Sequence, residues 1–403
     1  MDVCPVKKRL AECLKWGLVG VWPLLVLGVL SACGVNAPQR QAPTRFSPLS
    51  RTSQSRLWIT MTDNRIGQLS VARLEQGIVE KGPRISSLAR VRTFMGDPNG
   101  YVVNAKTPSA LYRVHPETLE IKNIYSADPQ GNLQDVTRVG AFFIGSYDQL
   151  SQLVQWPVNP LQSACNGSRR VLSHLADHAG SDGNPNLKAL WSNERMMVVA
   201  LQRYGDERQQ QFEPETPGIL AVVDLDSAFA VGGELKTTYV HLVGTNPMSD
   251  FHFDGDQSLY FLTTGQLRRK KDGQVPQDGG VEVLNLKTKV ASQVVSKVSL
   301  NGFPMDMVML SQFQALVLVA LDPWDPLLGC ALWKVDLKKR TAQKFKETRE
   351  KWVVLAWDGI RKVLYVADNA PQNPGVHLWN MDTLQEQGFI SLDLPPSSLA
   401  LGP

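Results

Sequence analysis

From about Arg56 onward the chain repeats one pattern: a short apolar run, a turn, a second apolar run, and a closing Asp or Asn followed by an apolar residue. The later run of each pair is the clearest, at residues 67–74, 110–115, 152–158, 218–225, 280–286, 329–337 and 375–382. The earlier runs precede them in step at 56–60, 100–104, 141–144, 195–199, 258–262, 315–319 and 363–367. Runs rich in β-branched and aromatic residues and bounded by Gly, Pro, Asn and Asp are read as strands, and stretches with helical period are nearly absent.

Seven four-stranded units of about 40 to 60 residues predict an all-β, seven-bladed β-propeller, whose radial repetition leaves only short, protected edges. A pair of β-sandwiches or a solenoid could carry a similar repeat, and the chain ends decide between them. The first repeat opens at its second strand near Leu57, whereas Pro396-Ser-Ser-Leu-Ala-Leu401 resembles an innermost strand, as at Ile85-Ser-Ser-Leu-Ala89. The last strand is therefore expected to complete the first blade, closing the ring by pairing the N- and C-terminal strands. A solenoid needs no such complement.

The segment Val363-Leu-Tyr-Val-Ala-Asp-Asn369, followed by Pro374-Gly-Val-His-Leu-Trp-Asn-Met-Asp-Thr383, resembles the YVTN or lactonase-like propeller repeat, in which Tyr-Val-Thr-Asn precedes a glycine and a strand ending in Asp-x-x-Thr. The resemblance runs from about Arg56 onward and is clearest in the fourth to sixth and last repeats. It implies the fold, not the activity, because propellers of this kind serve as enzymes, binders and surface scaffolds alike.

The first residues follow a different pattern. Lys7, Lys8, Arg9 and Lys15 give a basic start, and the apolar run from Trp16 to Ala32 is interrupted by Pro23 and glycines, short for a membrane-spanning helix. This is the pattern of a signal peptide. Leu30-Ser-Ala-Cys33-Gly34 resembles the bacterial lipobox, which implies a lipidated Cys33 as the mature N-terminus; a signal anchor with an incidental cysteine is the alternative. Two or more acyl chains, at roughly 0.8 kcal/mol per buried methylene, give stable anchoring. Gly34 in place of an aspartate after the cysteine favours the outer membrane under enterobacterial-type sorting. The expected organisation is a signal peptide over 1–32, a lipidated cysteine and flexible tether rich in Pro, Gln, Ser, Thr and Arg over 33–55, and the propeller over 56–403.

Charge adds little to this picture. Of 42 basic and 38 acidic residues, the first 32 positions hold four and two, so the remainder is nearly balanced and nucleic acid has no electrostatic case. Of five cysteines, Cys4 and Cys13 leave with the signal and Cys33 is lipidated, so Cys165 and Cys330 cannot build a disulfide scaffold.

Candidate chemistry gathers on one face. Connections between blades and those joining second to third strands share a face of a propeller, and the insertions 202–217, 265–273 and 322–328 fall there. They bring a mixed loop, a basic loop with Arg268 and Arg269, and an apolar loop with Trp324, Leu327 and Leu328 to a common rim, which suits recognition. Loop closure costs only roughly 0.6 kcal/mol per doubling of length, so drift would also be tolerated. Asp135, Asp250 and Asp306 recur where inner strands begin and are expected at the channel mouth, either converging on a cation or polar ligand or capping backbone amides. His174 and His178, four residues apart, suit a metal only on a helix, and they close an outer strand. His252, Asp254 and Asp256 resemble an ordinary hairpin turn, with a calcium loop as the alternative. Nucleophile elbow, HExxH, paired CxxC and phosphate-cradling glycine loop are all missing from the sequence, and no cofactor is indicated.

Two functions are compatible with these features. The first is a non-catalytic, lipid-anchored binding or scaffold propeller of the bacterial envelope, engaging an envelope protein or glycan through its insertion-rich face. The second is a lactonase-like or other propeller hydrolase, which needs Asp135, Asp250, Asp306 or His252 to converge at the channel mouth.

Overall fold

A computed structural model of the chain describes residues 44–45, 56–86, 89–105, 109–126, 131–148, 150–159, 170–175, 178, 184–203, 217–228, 236–267, 270, 272–325 and 328–402. Cys33, the apolar run before it, most of the tether, Cys165, Arg268, Arg269 and Leu327 lie outside the described residues. Among the described residues no helix is long and apolar enough to cross a membrane.

The described chain is a seven-bladed β-propeller, with seven antiparallel sheets following one another in sequence. Blade 1 orders Pro396–Gly402, Arg56–Thr62, Gly67–Arg73 and Ile78–Ile85 from the centre outward, with Thr44–Arg45 pairing outside. Blade 2 runs from Ala89–Thr93 to Ile121–Ser126, blade 3 from Leu133–Val139 to Arg170–His174, and blade 4 from Leu187–Ser192 to Thr237–His241. Blade 5 runs from His252–Phe253 to Val290–Ser296, blade 6 from Phe303–Ser311 to Thr341–Thr348, and blade 7 from Trp352–Asp358 to Gln385–Ser391. The ring closes as the sequence predicts: Leu57 pairs with Leu401 and Ile59 with Leu399.

The inner strand of blade 2 is displaced from its expected place. It begins at Ala89, while Ile85 ends the outer strand of blade 1. Arg90 and Arg92 disguise this strand in the sequence, because alternate positions of an inner strand face the polar channel rather than an apolar core.

Blades pack through apolar clusters, one for each neighbouring pair around the ring. The second strands explain their own composition. In Arg56–Thr62, Leu57 and Ile59 pack toward blade 7, and Trp58 packs toward blade 2. Tyr365 and Ala367 likewise face blade 1, whereas Leu364 and Val366 face blade 6. Both faces of these strands are buried, so they appear as continuous apolar runs, and a one-residue slip would exchange the two interfaces. Outer strands such as Thr341–Thr348 are mostly exposed and correspondingly polar.

The Asp or Asn that closes a third strand has a mechanical role where it occurs. Asn285 Oδ1 accepts the N–H groups of Lys287 and Thr288, and Asn380 Oδ1 those of Asp382 and Thr383. Asp336 accepts Lys339 N–H, and His115 Nδ1 takes the same part for Glu117 and Thr118. These are side-chain-capped turns that return the chain into the outer strand.

Candidate functional site: the channel and the insertion-bearing face

Three blades meet at one guanidinium in the channel. Arg92 Nε donates to Asp135 Oδ1 at 2.7 Å, its Nη2 donates to Asp250 Oδ1 at 2.7 Å, and its Nη1 donates to Asp250 Oδ2. Asp135 is buried and Asp250 is partly open to the channel. Enclosure opposes ionisation of Asp250, but Arg92 outweighs it and holds the carboxyl well below the usual carboxylate range. The second Asp135 oxygen accepts Leu190 N–H at 2.9 Å, tying blade 3 to blade 4.

Asp306 makes the same kind of tie, accepting Leu355 N–H at 2.7 Å from blade 7. Its burial, reinforced by the charge of Asp250, pushes its carboxyl up to about 7. Ser398 Oγ accepts Val91 N–H in the corresponding place between blades 1 and 2. Of the three aspartates, then, Arg92 unites Asp135 with Asp250, and Asp306 joins them only through longer-range charge. His252 is held toward the neutral form by burial, and among the described residues its Nε2 has no hydrogen-bond partner. Lys188, whose Nζ donates to Gln134 at 3.0 Å, is pushed down to about 7 by burial and by Arg90. No motif marks Arg92 or Lys188 in the sequence; the apolar and basic alternation at 89–92 is the one signal there for Arg92.

A cleft of about 870 Å³ opens on the insertion-bearing face. Its walls come from second-to-third-strand loops of blades 1, 6 and 7 and from the connections into blades 7 and 1, including Asn64, Asp322, Cys330, Glu350, Trp352 and Leu394. The loop that supplies Asp322 also carries Trp324 and Leu328, 56% and 47% exposed. The Trp324 N–H donates to Asp322 Oδ1 at 2.9 Å, which shapes this turn. The blade 5 insertion is anchored at its base: Lys297, fully buried, donates to Thr264 O, Gln266 O and Asp278 Oδ1 at 2.9–3.0 Å. Lys270 of that loop is exposed.

Beside the cleft lies a cluster that no sequence motif marks. Donor atoms of Glu350, Asp368 and His377 all fall within 4.8 Å of one another. Asp368 occupies the motif position of the Tyr-Val-Thr-Asn asparagine, and its Oδ1 accepts the N–H groups of Lys351 and Ala370 at 3.1 and 3.0 Å. In blade 2 the matching residue is Asn104, which accepts Ser86 N–H at 2.8 Å in the same inter-blade connection. Cys330 nearby donates its thiol to Trp352 O at 3.3 Å, and burial pushes that thiol up to about 11. His178 stacks on Tyr239 with ring centroids 3.5 Å apart. Asp254 Oδ1 accepts the N–H groups of Asp256, Gln257 and Ser258, which is the hairpin-turn arrangement.

Sequence comparison finds no matching family and no matching curated protein. The fold matches many solved structures. A putative 6-phosphogluconolactonase from Bacteroides fragilis superposes with a TM-score of 0.59 at 12% identity, covering 88% of this chain and 99% of that one. Its counterpart from Bacteroides uniformis gives 0.58 at 12% identity over 86% and 99%. An apocarotenoid oxygenase variant from Synechocystis gives 0.56 at 11% identity over 89% and 95%. At such identities the likeness establishes the propeller fold and leaves activity open.

Proposed function

We propose that this chain is a lipid-anchored, non-catalytic binding propeller of the bacterial envelope, held in the outer membrane through Cys33 and engaging an envelope protein or glycan with its insertion-bearing face.

 The observation that carries this reading is the cleft of about 870 Å³ on that face, bordered by a loop presenting Trp324 and Leu328 to solvent. Exposed aromatic and aliphatic side chains beside a concavity are the usual anchors of a recognition surface. A fixed base supports the same reading: Lys297 ties the described start of the blade 5 insertion, Thr264 and Gln266, to Asp278 through three hydrogen bonds. Arg268, Arg269 and Leu327 are proposed to extend the same surface.

A hydrolytic reading draws on the fold likeness to putative lactonases. It would need free carboxylates in the channel, and Asp135 and Asp250 are instead engaged by Arg92.

The test has two parts. Palmitate labelling in the producing bacterium should depend on Cys33, and labelling that survives Cys33→Ala would refute the anchor. Capture from detergent-solubilised envelopes should return specific components with the intact protein and lose them when residues 204–216 and 322–328 are replaced by short linkers. Equal capture by both forms would place recognition elsewhere.

A further inference from the structure

The cluster beside the cleft departs from the repeat in a specific way. Val366 pairs with His377 in blade 7 just as Val102 pairs with Tyr112 in blade 2, so His377 is the counterpart of Tyr112, and Asp368 that of Asn104. In blade 2 the pair is neutral, with Asn104 Nδ2 donating to Tyr112 Oη at 3.4 Å. Blade 7 replaces it with a carboxylate and an imidazole and adds Glu350 from the connection between blades 6 and 7.

We propose that Glu350, Asp368 and His377 form a binding site for a divalent transition metal ion, with Glu386 orienting the histidine and the open side of the ion facing the cleft.

The histidine carries the argument. His377 is only 7% exposed, and among the described residues its Nε2 has no partner within hydrogen-bond distance, lying 3.6 Å from Asp368 Oδ2 and 3.8 Å from Glu350 Oε2. A buried ring nitrogen left without a hydrogen bond is costly unless something completes it. Its other nitrogen, Nδ1, is 2.7 Å from Glu386 Oε1. Metal-bound histidines typically make this second hydrogen bond to a carboxylate, which fixes the tautomer and the ring plane. Phe389 packs against the imidazole at 4.8 Å between centroids and further restricts it.

Distances fit a small adjustment. Bonds of about 2.0–2.1 Å in a tetrahedral centre place donor atoms about 3.3 Å apart. The separations from Nε2 exceed this by a few tenths of an ångström, and the half-exposed Glu350 side chain can move to close them. Asp368 Oδ1 is committed to the Lys351 and Ala370 amides, which leaves Oδ2 directed at the site. One nitrogen and two carboxylate oxygens suit zinc and its neighbours better than calcium or magnesium, which favour all-oxygen shells. Three protein ligands leave a fourth position, and Glu350 lines the cleft, so water or a ligand in the cleft could complete the ion. This inference is independent of any envelope partner.

Zinc binding to the full chain, stripped with chelator, is the test. Calorimetry and elemental analysis are expected to give one tight equivalent per chain. His377→Gln should abolish it, Glu350→Gln and Asp368→Asn should each weaken it at least tenfold, and Glu386→Gln should weaken it by about 10–100-fold. Glu350 is exposed, so its variant keeps the test valid if a buried substitution fails to fold. Cobalt in place of zinc should show the intense visible absorption of a low-coordinate ion, and Glu350→Gln should alter it. No stoichiometric binding, or binding unchanged in both Glu350→Gln and His377→Gln, would overturn the proposal and leave the cluster a charge network around an imidazolium.

Discussion

Asp306 accepts the main-chain N–H of Leu355 at 2.7 Å, fastening the inner strand of blade 6 to that of blade 7. Asp135 does the same for Leu190, and Ser398 does so for Val91. Short polar side chains at inner strands thus join neighbouring blades near the axis, where apolar packing gives way to the channel.

The Asp306 tie makes stability depend on pH. Its carboxyl is raised to about 7 by burial, so the folded state retains a proton that the unfolded chain releases near the ordinary carboxylate value. That contribution is fully present below about pH 4 and is lost as pH rises through about 7. Asp306→Asn keeps an oxygen for the Leu355 N–H and cannot ionise. Thermal unfolding from pH 5 to 8 should therefore show a smaller decline in Tm for the variant than for the parent. Parallel curves would refute the assignment.

Arg92 is the shared counter-ion of Asp135 and Asp250. Arg92→Met leaves a buried carboxylate without its partner and should cost about 3 kcal/mol or more. Asp250→Asn should cost much less, because Arg92 retains Asp135. Urea unfolding compares the two, and equal losses would contradict the central role of the guanidinium.

Ring closure rests on Pro396–Gly402, whose pairing covers Leu57 and Ile59, both fully buried. Removing residues 396–403 should abolish the cooperative unfolding transition seen by circular dichroism. A retained transition at the parental midpoint would show that the last strand is dispensable.

Gly100 sits against the ring of Trp58 at the interface of blades 1 and 2, and a Cβ there would fall 2.4 Å from the indole. Gly100→Ala should cost about 1–3 kcal/mol through overpacking. A neutral result in urea unfolding would mean that the Trp58 side chain can move aside.

Much of this architecture was legible from the sequence, for a physical reason. Second and third strands are buried on both faces, so runs such as 315–319 and 363–367 stand out against polar turns. Inner strands are harder to see, since one side meets the channel: Arg90 and Arg92 hide one of them, and blade 5 contributes only His252–Phe253. The three aspartates stand out in the sequence as a recurring feature, whereas their partners do not. Arg92, Leu190 and Leu355 come from other blades, and only the closed ring brings them together. In the sequence His377 stands as one position of an otherwise apolar strand, because Glu350, Asp368 and Glu386 reach it from three separate segments.

Recognition by the insertion-bearing face is the central claim, and photo-crosslinking in living cells tests it most directly. A photoreactive residue replaces Trp324 or Leu328 on that face, or the exposed Ile360 in a first-to-second-strand turn of blade 7 on the opposite face. Crosslinks to a discrete envelope component from positions 324 and 328, with none from 360, are the predicted result; crosslinks from 360 alone, or from all three alike, would contradict it.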